Sequence, residues 1–590
     1  MGAGYAGRAA ASVLALLALA GPVRAFAAPP GDSPNVLLIT VDTLRRDALG
    51  WVAGRNETPN LDALALSGFR FPAAVSPVPM TLPAHTSIMT GVLPRQHGIR
   101  DNGQVLGASS TTLAERLRAA GYATAAFVSG YPLDASFGLD RGFTHYDDTM
   151  PEGIEGWVER RAPATTKAAL AWIENAPRPW FVWVHYFDPH EPYDPPRNFW
   201  KPGARGAYDG EVSYTDHAIG LLLQGANPPF AQGAAAPAGG GPMLTVFTAD
   251  HGEGLGDHGE NTHGYFVYDS TILVPLVFQW PGRLASGSSA AAARLVDIAP
   301  TVLDLLGLPA LATASGRSLV ARFAGQSQPP AAAYVETQLP WRFFGWSPLA
   351  ALRLDGWKLV AAPRPELYDL TRDAGETRNL IAGVDGERGR ARALRDEMRR
   401  IEALPAETAG VLDDPEALAR LQALGYVGAG AGEETPPAGL LDPKDRLAAR
   451  DELLAAEAAA RGGRVEEALA RFARVLAQEP ANRFATLRSG VVLLKAGRLA
   501  AAAERLERAV AADPARAEAR FALADALTRL GEHARALPHW LELVRLQPRR
   551  AEHWTNLSYS LRENGQTERA AAALREASAL GEERQLLRAP

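Results

Sequence analysis

Two kinds of hydrophobic pattern divide the chain. From Pro34 to about Leu380, short apolar runs alternate with stretches of helical spacing. Asn35–Val41, Thr124–Val128, Trp180–His185, Leu244–Thr248 and Leu273–Gln279 are nearly unbroken apolar runs of strand length. Residues 111–120 and 162–175 carry helical spacing between them. Near-continuous strands separated by helices predict an α/β fold whose sheet is parallel and covered on both faces. Ligands of such sheets sit beyond the carboxyl ends of the strands, so the residues just after each run are the candidates for chemistry. Arg353–Ala361 predicts a hairpin around Asp355-Gly356, within a small subdomain at about 340–385. Residues 428–445, rich in Gly, Pro, Ala and Glu at their start, read as a linker.

The grammar then changes to Ala, Leu, Arg and Glu at helical spacing. Pro480, Pro514 and Pro548 recur every 34 residues, and so do Gly463, Gly497, Gly531 and Gly565, and Ala468, Ala502, Ala536 and Ala570. Small residues at fixed steps let paired helices approach closely, and proline closes each unit. Three residue types in phase resemble the tetratricopeptide repeat. The resemblance implies an all-α solenoid over residues 446–584, with a concave surface for a protein or peptide.

At the other end, Arg8 is followed by an apolar run from Ala9 to Ala20, then Gly21, Pro22 and Ala25-Phe26-Ala27. This order reads as a secretory signal peptide over residues 1–27, and the run is shorter than the roughly 20 residues a membrane span needs. The expected location is periplasmic or secreted; an uncleaved leader would add a loose membrane tether.

Composition narrows the classes. Lys+Arg is 60 against Asp+Glu 66, a formal charge of −6, which disfavours nucleic acid as a partner because phosphate neutralisation needs basic residues. The 590 residues include no cysteine, so disulfides, thiolate zinc sites and thiol nucleophiles are excluded.

Four segments carry chemistry. Asp42 ends the first apolar run, where a carboxylate suits a hard cation. Pro79-Met80-Thr81-Leu82-Pro83-Ala84-His85 leads into a predicted helix, placing Thr81 near an N-terminus that favours an anion. Asp250-His251-Gly252-Glu253 follows another apolar run and suits a divalent cation. Phe187-Asp188-Pro189-His190 follows a third, and His190 could donate a proton to a leaving group.

Together with Thr58-Pro59-Asn60-Leu61-Asp62, Val274-Pro275, Trp280-Pro281-Gly282 and Glu366-Leu367-Tyr368-Asp369-Leu370, these segments resemble the sulfatase family of the alkaline phosphatase superfamily over residues 34–427. The resemblance implies a mixed sheet flanked by helices and an ester hydrolase. It implies Asp42, Thr81, Asp250 and His251 as metal ligands, with Thr81 the nucleophile. His85 stands where the family carries an arginine, and His263 about where it carries a lysine. His190 matches a histidine near the leaving group, and Asn102 a substrate-contacting asparagine. Ser129 and Tyr131 fall near positions that contact the transferred group.

The departures shift the expected substrate. Sulfatases make a formylglycine from Cys or Ser, whereas the matching residue here is Thr81, so no formylglycine is expected. Thr43 replaces the second of a pair of N-terminal aspartates. The family's phosphonate and phosphodiester members are similar in carrying hydroxyl side chains near Ser129 and Tyr131. The expectation is one divalent ion (Ca, Mn or Zn), a threonine ester intermediate, and a phosphodiester or phosphonate ester, small or polymer-borne, favoured over a sulfate. A phosphoethanolamine-type transferase sharing these residues, and a silent scaffold served by the repeats, remain as alternatives.

Overall fold

The computed structural model describes residues 33–151, 159–227, 242–412, 421 and 436–587; the leader and residues 428–435 of the linker lie outside them. The strands of the first half are β1 (Asn35–Val41), β2 (Phe69–Val75), β3 (Gln104–Val105), β4 (Ala123–Phe127), β5 (His145–Asp147), β6 (Trp180–Tyr186), β7 (Met243–Ala249), β8 (Leu273–Gln279), β9 (Gly287–Ser288) and β10 (Ala293–Arg294). All but β3 join one sheet in the order β10-β2-β8-β7-β1-β6-β4-β5, with β9 also on β2. β1 lies between β6 and β7, parallel to both, and all seven of its residues are buried. This explains its unbroken apolar sequence: a strand covered on both faces has no polar side.

The sheet is mixed, as the family resemblance implies, rather than wholly parallel as the apolar pattern alone predicts. β8 runs antiparallel to both β7 and β2. A parallel return needs a crossover, usually a helix of a dozen residues or more. Between β7 and β8 the helical pieces are only Asp257–Gly259 and Asp269–Ile272, too short to recross the sheet. Two reversals bring β2 back into the direction of β1. The carboxyl ends of β1, β2, β4, β6 and β7 therefore share one edge, and the four chemical segments all leave from it.

A second sheet follows, β11 (Ala333–Thr337), β12 (Leu349–Leu354), β13 (Trp357–Ala361) and β14 (Glu366–Asp369), paired antiparallel in chain order. The hairpin expected at Asp355-Gly356 joins β12 to β13, and both residues take the positive φ that a two-residue turn demands. The sheet begins at Ala333, upstream of the expected 340.

The last part is a run of paired helices: Leu447–Arg461 with Val465–Gln478, Arg483–Lys495 with Leu499–Ala512, Ala517–Arg529 with His533–Leu546, and Ala551–Glu563 with Thr567–Leu587. The periodic glycines turn the chain inside each pair, with φ of +71° at Gly463, +74° at Gly497, +79° at Gly531 and +74° at Gly565. The periodic alanines are buried where paired helices touch. The repeats are not a detached tail. One hydrophobic core joins Tyr265, Phe266, Phe344 and Trp346 of the first half to Leu453, Ala456 and Phe472 of the first repeat and Phe484 of the second. Among the described residues no helix is long and apolar enough to cross a membrane.

Leu38 is 1% exposed at the centre of the main sheet. Leu38→Ala should cost about 2–5 kcal/mol through lost transfer energy and a residual cavity. The check is a lower urea midpoint for the transition followed by tryptophan fluorescence.

Candidate active site

Asp42 is the first residue after β1, and Asp250 the first after the neighbouring β7. Pairing in register sets their backbones side by side, with Asp250 N–H donating to the Val41 carbonyl. Backbone N–H groups of Thr43 and His251 donate to Asp250 Oδ1 at 3.3 and 2.7 Å. This fixes the carboxylate and leaves Oδ2 free of hydrogen bonds. Thr43 holds a left-handed conformation, φ +52°, and its hydroxyl donates to the Pro189 carbonyl. It replaces an aspartate without adding an oxygen to the cluster.

His251 donates from Nδ1 to the Gly252 carbonyl at 3.0 Å. The remaining nitrogen, Nε2, then carries a lone pair, 3.6 Å from Asp42 Oδ1 and 3.5 Å from Asp250 Oδ2. Burial and nearby His263 push the His251 imidazole down to about 3, so it is neutral, the form that binds metals. Asp42 Oδ1, Asp250 Oδ2 and His251 Nε2 are all buried without a hydrogen-bond partner, and the donor atoms of these residues lie within 4.8 Å of one another. Orphaned buried polar atoms are costly, and two oxygens with one imidazole suit a divalent cation. The set fits one.

The carboxylates show the same need. Burial alone would raise both. The surrounding imidazoles of His185, His190 and His251 outweigh burial at Asp42 and hold it ionised. Burial and the Asp42 charge drive Asp250 well above the carboxylate range. Two carboxylates stripped of water cannot both ionise without a positive charge between them.

Thr81 opens the helix Thr81–Thr90, which follows β2 after five residues. Its hydroxyl donates to Asp42 Oδ2 at 3.3 Å and is fully buried. The helix N-terminus is more closed than its position in the sequence implied. Asn102 Oδ1 accepts the Leu82 N–H at 3.0 Å, Pro83 has none, and Ala84 N–H bonds the Met80 carbonyl. Asn102 Nδ2 remains, buried and without a hydrogen-bond partner.

His85, one turn on, spends both nitrogens internally. Nδ1 bonds the Thr81 carbonyl at 2.8 Å and Nε2 pairs with Thr40 Oγ1 at 3.0 Å. Because the Thr81 carbonyl can only accept, Nδ1 carries the proton; burial keeps the ring neutral, so the Thr40 hydroxyl, which also accepts Trp183 Nε1–H at 2.9 Å, donates to Nε2. His85 can set Thr81 but has no lone pair for a metal. Ser129 is likewise occupied, donating to the His185 carbonyl at 2.5 Å and accepting the Phe187 N–H at 2.9 Å. It ties the end of β6 rather than offering a hydroxyl to substrate. Tyr131 is buried in the turn Tyr131–Leu133, its ring packed edge-on to Phe137.

His190 stacks on Phe187 and its ring centre lies 5.2 Å from that of His263. His263 arrives on a tongue, residues 250–268, that leaves β7, doubles back and carries its imidazole to 4.5 Å from His251. Burial works against its proton, but Glu253 at 3.2 Å from Nδ1 more than restores it. Tyr193 donates to the other oxygen of Glu253 at 2.8 Å.

Two residues were not singled out from the sequence. Glu253 lies within the Asp-His-Gly-Glu run and is completely buried behind His263. His185 lies inside β6 with Nε2 3.6 Å from Asp42 Oδ2; as one letter in an apolar strand it gave no signal. A second metal would need a further Asp/His set, and Asp188, Asp216, His217 and His258 do not converge on one. Asp188 accepts the Ala162 N–H and pairs with Arg161, Asp216 accepts the Leu61 N–H, His217 is exposed, and His258 stacks on Tyr268.

Comparison with known proteins agrees with this geometry. Residues 34–308 match the sulfatase family model, and residues 256–403 match the model for the C-terminal part of N-sulphoglucosamine sulphohydrolase. Segments 453–517, 487–544 and 521–583 match the tetratricopeptide repeat. Choline-sulfatase of Rhizobium meliloti is 26% identical over 443 residues, covering 60% of this chain and 83% of that protein. Human arylsulfatase A is 26% identical over 460 residues, covering 63% and 87%. Among solved structures, the phosphonate monoester hydrolase of Agrobacterium radiobacter superposes with a TM-score of 0.51 at 22% identity, over 63% of this chain and 95% of that one.

Asp250→Asn should lower affinity for a divalent ion at least tenfold, read as metal content after dialysis against a weak chelator; retained stoichiometry would remove Asp250 from the ligand set. Glu260 in the tongue accepts the Tyr265 and Phe266 N–H groups, and burial raises it from 4.5 to about 7. A carboxyl raised on folding stabilises below its unfolded pKa and loses that contribution as pH climbs through the folded value. Glu260→Gln should therefore gain on the wild type between pH 5 and 8, by roughly 2–3 kcal/mol, in parallel denaturant melts.

Proposed function

We propose that this chain, which belongs to the sulfatase family of ester hydrolases and ends in tetratricopeptide repeats, cleaves phosphodiester- or phosphonate-type esters through a covalent ester on Thr81. The observation that carries this is a threonine hydroxyl, buried at the start of a helix and 3.3 Å from a carboxylate of the candidate metal cluster, at the position where the family's formylglycine precursor, Cys or Ser, would stand.

Asp42, Asp250 and His251, with Thr81, would hold a single divalent ion. A cation there lowers the pKa of a coordinated hydroxyl and offsets charge on the transferred group. The chain's own groups do the rest. His85, bonded to the Thr81 carbonyl, fixes the first turn of the helix. Thr81 Oγ1 donates its proton towards Asp42 Oδ2 as it attacks phosphorus. Asn102 Nδ2 donates to a non-bridging oxygen as charge develops there. The bond to the leaving alkoxide breaks, and His263, whose proton affinity Glu253 raises, supplies its proton; His190 beside it is the second donor within reach. Water then attacks the Thr81 ester and restores the hydroxyl.

The same reading extends beyond the site. The leader order supports export to the periplasm or beyond, and the repeats support a protein or peptide partner.

Thr81→Ala should lower kcat by at least about 10³-fold, measured at saturating metal, while circular dichroism stays at the wild-type spectrum. A panel of aryl sulfate, aryl phosphate, phosphodiester and phosphonate esters, each with and without alcohol acceptors, fixes the chemistry. The expected order of kcat/KM places phosphodiester and phosphonate first. Sulfate turnover dominating the panel, or wild-type rates from Thr81→Ala, would sink the proposal.

A further inference from the structure

The tongue that carries His263 has two sides. Its own backbone folds it: Gly254 N–H donates to the Thr262 carbonyl at 2.7 Å, Leu255 to Asn261 at 3.0 Å and Gly256 to Glu260 at 2.8 Å. One side delivers His263 to Glu253 and to the imidazoles of His251 and His190. The other side rests on the first repeat. Arg450 Nη2 donates to the Gly259 carbonyl at the tip, at 2.8 Å. The Arg450 guanidinium also lies 5.0 Å from the centre of the Tyr265 ring, two residues past His263. The Tyr265 hydroxyl donates to the Pro443 carbonyl at 3.0 Å. A Cβ added at Gly259 would stand 2.7 Å from Leu447, so the helix Leu447–Arg461 is seated directly on the tip.

The seat is itself anchored. Trp346 Nε1–H donates to Glu479 at 2.8 Å, and Phe343 stacks on Phe484 with ring centres 4.6 Å apart. Arg450 is nearly buried, so its bond to Gly259 is shielded from water and not screened as a surface contact would be. On the catalytic side Arg45 grips the base of the same tongue through the Glu253 and Gly254 carbonyls.

We infer that the first tetratricopeptide repeat is a working part of the catalytic unit: Arg450 and Leu447, with Pro443 of the linker just before them, clamp residues 254–266 and so position His263 over the reacting centre. Arg450 is a positioning residue, acting through His263; the effect on turnover rests on the leaving-group role given to His263 above. The repeats then do more than recruit a partner, because the segment that completes the site is fixed by the helix that starts them.

The test uses the full chain with its metal. In Arg450→Ala, hydrogen exchange at the amides of Gly254, Leu255 and Gly256 should quicken by about tenfold or more, with metal content unchanged. Its kcat should fall by about 10- to 100-fold for an ester with a poor alkoxide leaving group and much less for a nitrophenyl ester. Arg450→Lys, which keeps one donor to Gly259, should recover part of both. Tyr265→Phe removes only the bond to Pro443 and should show the same signs more weakly, which covers the case in which Arg450→Ala folds poorly. Arg535→Ala, on exposed pairs in the third repeat, should change neither. Wild-type exchange in the tongue of Arg450→Ala would overturn the clamp whatever His263 does. His263→Ala losing rate equally for good and poor leaving groups, with the tongue still loosened in Arg450→Ala, would sink the leaving-group role and leave the clamp standing.

Discussion

The structure turns on two carboxylates that should not be neighbours. Asp42 and Asp250 end adjacent parallel strands of a buried sheet, and each has an oxygen with no hydrogen-bond partner. In water such a pair would cost little; in an interior that has excluded water the repulsion is severe. Backbone N–H groups hold Asp250 from one side, and imidazoles line the other. The strands themselves keep the pair together, because register along β1 and β7 leaves the carboxylates nowhere else to go. A fold that forces acids into contact at a fixed edge has built the requirement for a cation into its backbone.

Around that charge the side chains divide the work by which of their atoms remain unspent. His251 commits Nδ1 to a carbonyl and so offers Nε2, whereas His85 commits both nitrogens and can only position. Ser129 spends its hydroxyl on the end of β6. Asn102 spends its oxygen on the helix and keeps its amide. The same residue types therefore have different capacities here, and hydrogen-bond inventory rather than identity separates them.

The mixed sheet and the clamp share a cause. Since β8 returns antiparallel, the chain between β7 and β8 needs no crossover helix, and its residues are released to form the tongue. A tongue without a packed helix of its own has few internal contacts, and such segments open at low free energy. Burying Tyr265 and Phe266 against the first repeat supplies the missing packing. The tongue, the second sheet and the start of the repeats thereby share one hydrophobic cluster.

Much of this was legible along the chain. Unbroken apolar runs marked β1, β4, β6, β7 and β8 because buried strands leave a composition signal, and the period of 34 marked the repeats because each unit solves the same packing problem. Asp42, Thr81, Asp250 and His251 were visible because each follows a strand at the edge where sheets bind ligands. Strand direction was not, since an apolar run reads alike either way. His185 was hidden for the same reason: only register places it beside Asp42. Nor could the sequence say that Ser129 was already spent, or that Arg450 would reach a loop 191 positions away. Local pattern records what a residue needs from its surroundings, whereas which groups meet, and which atoms stay free to react, is settled only when distant segments close on one another.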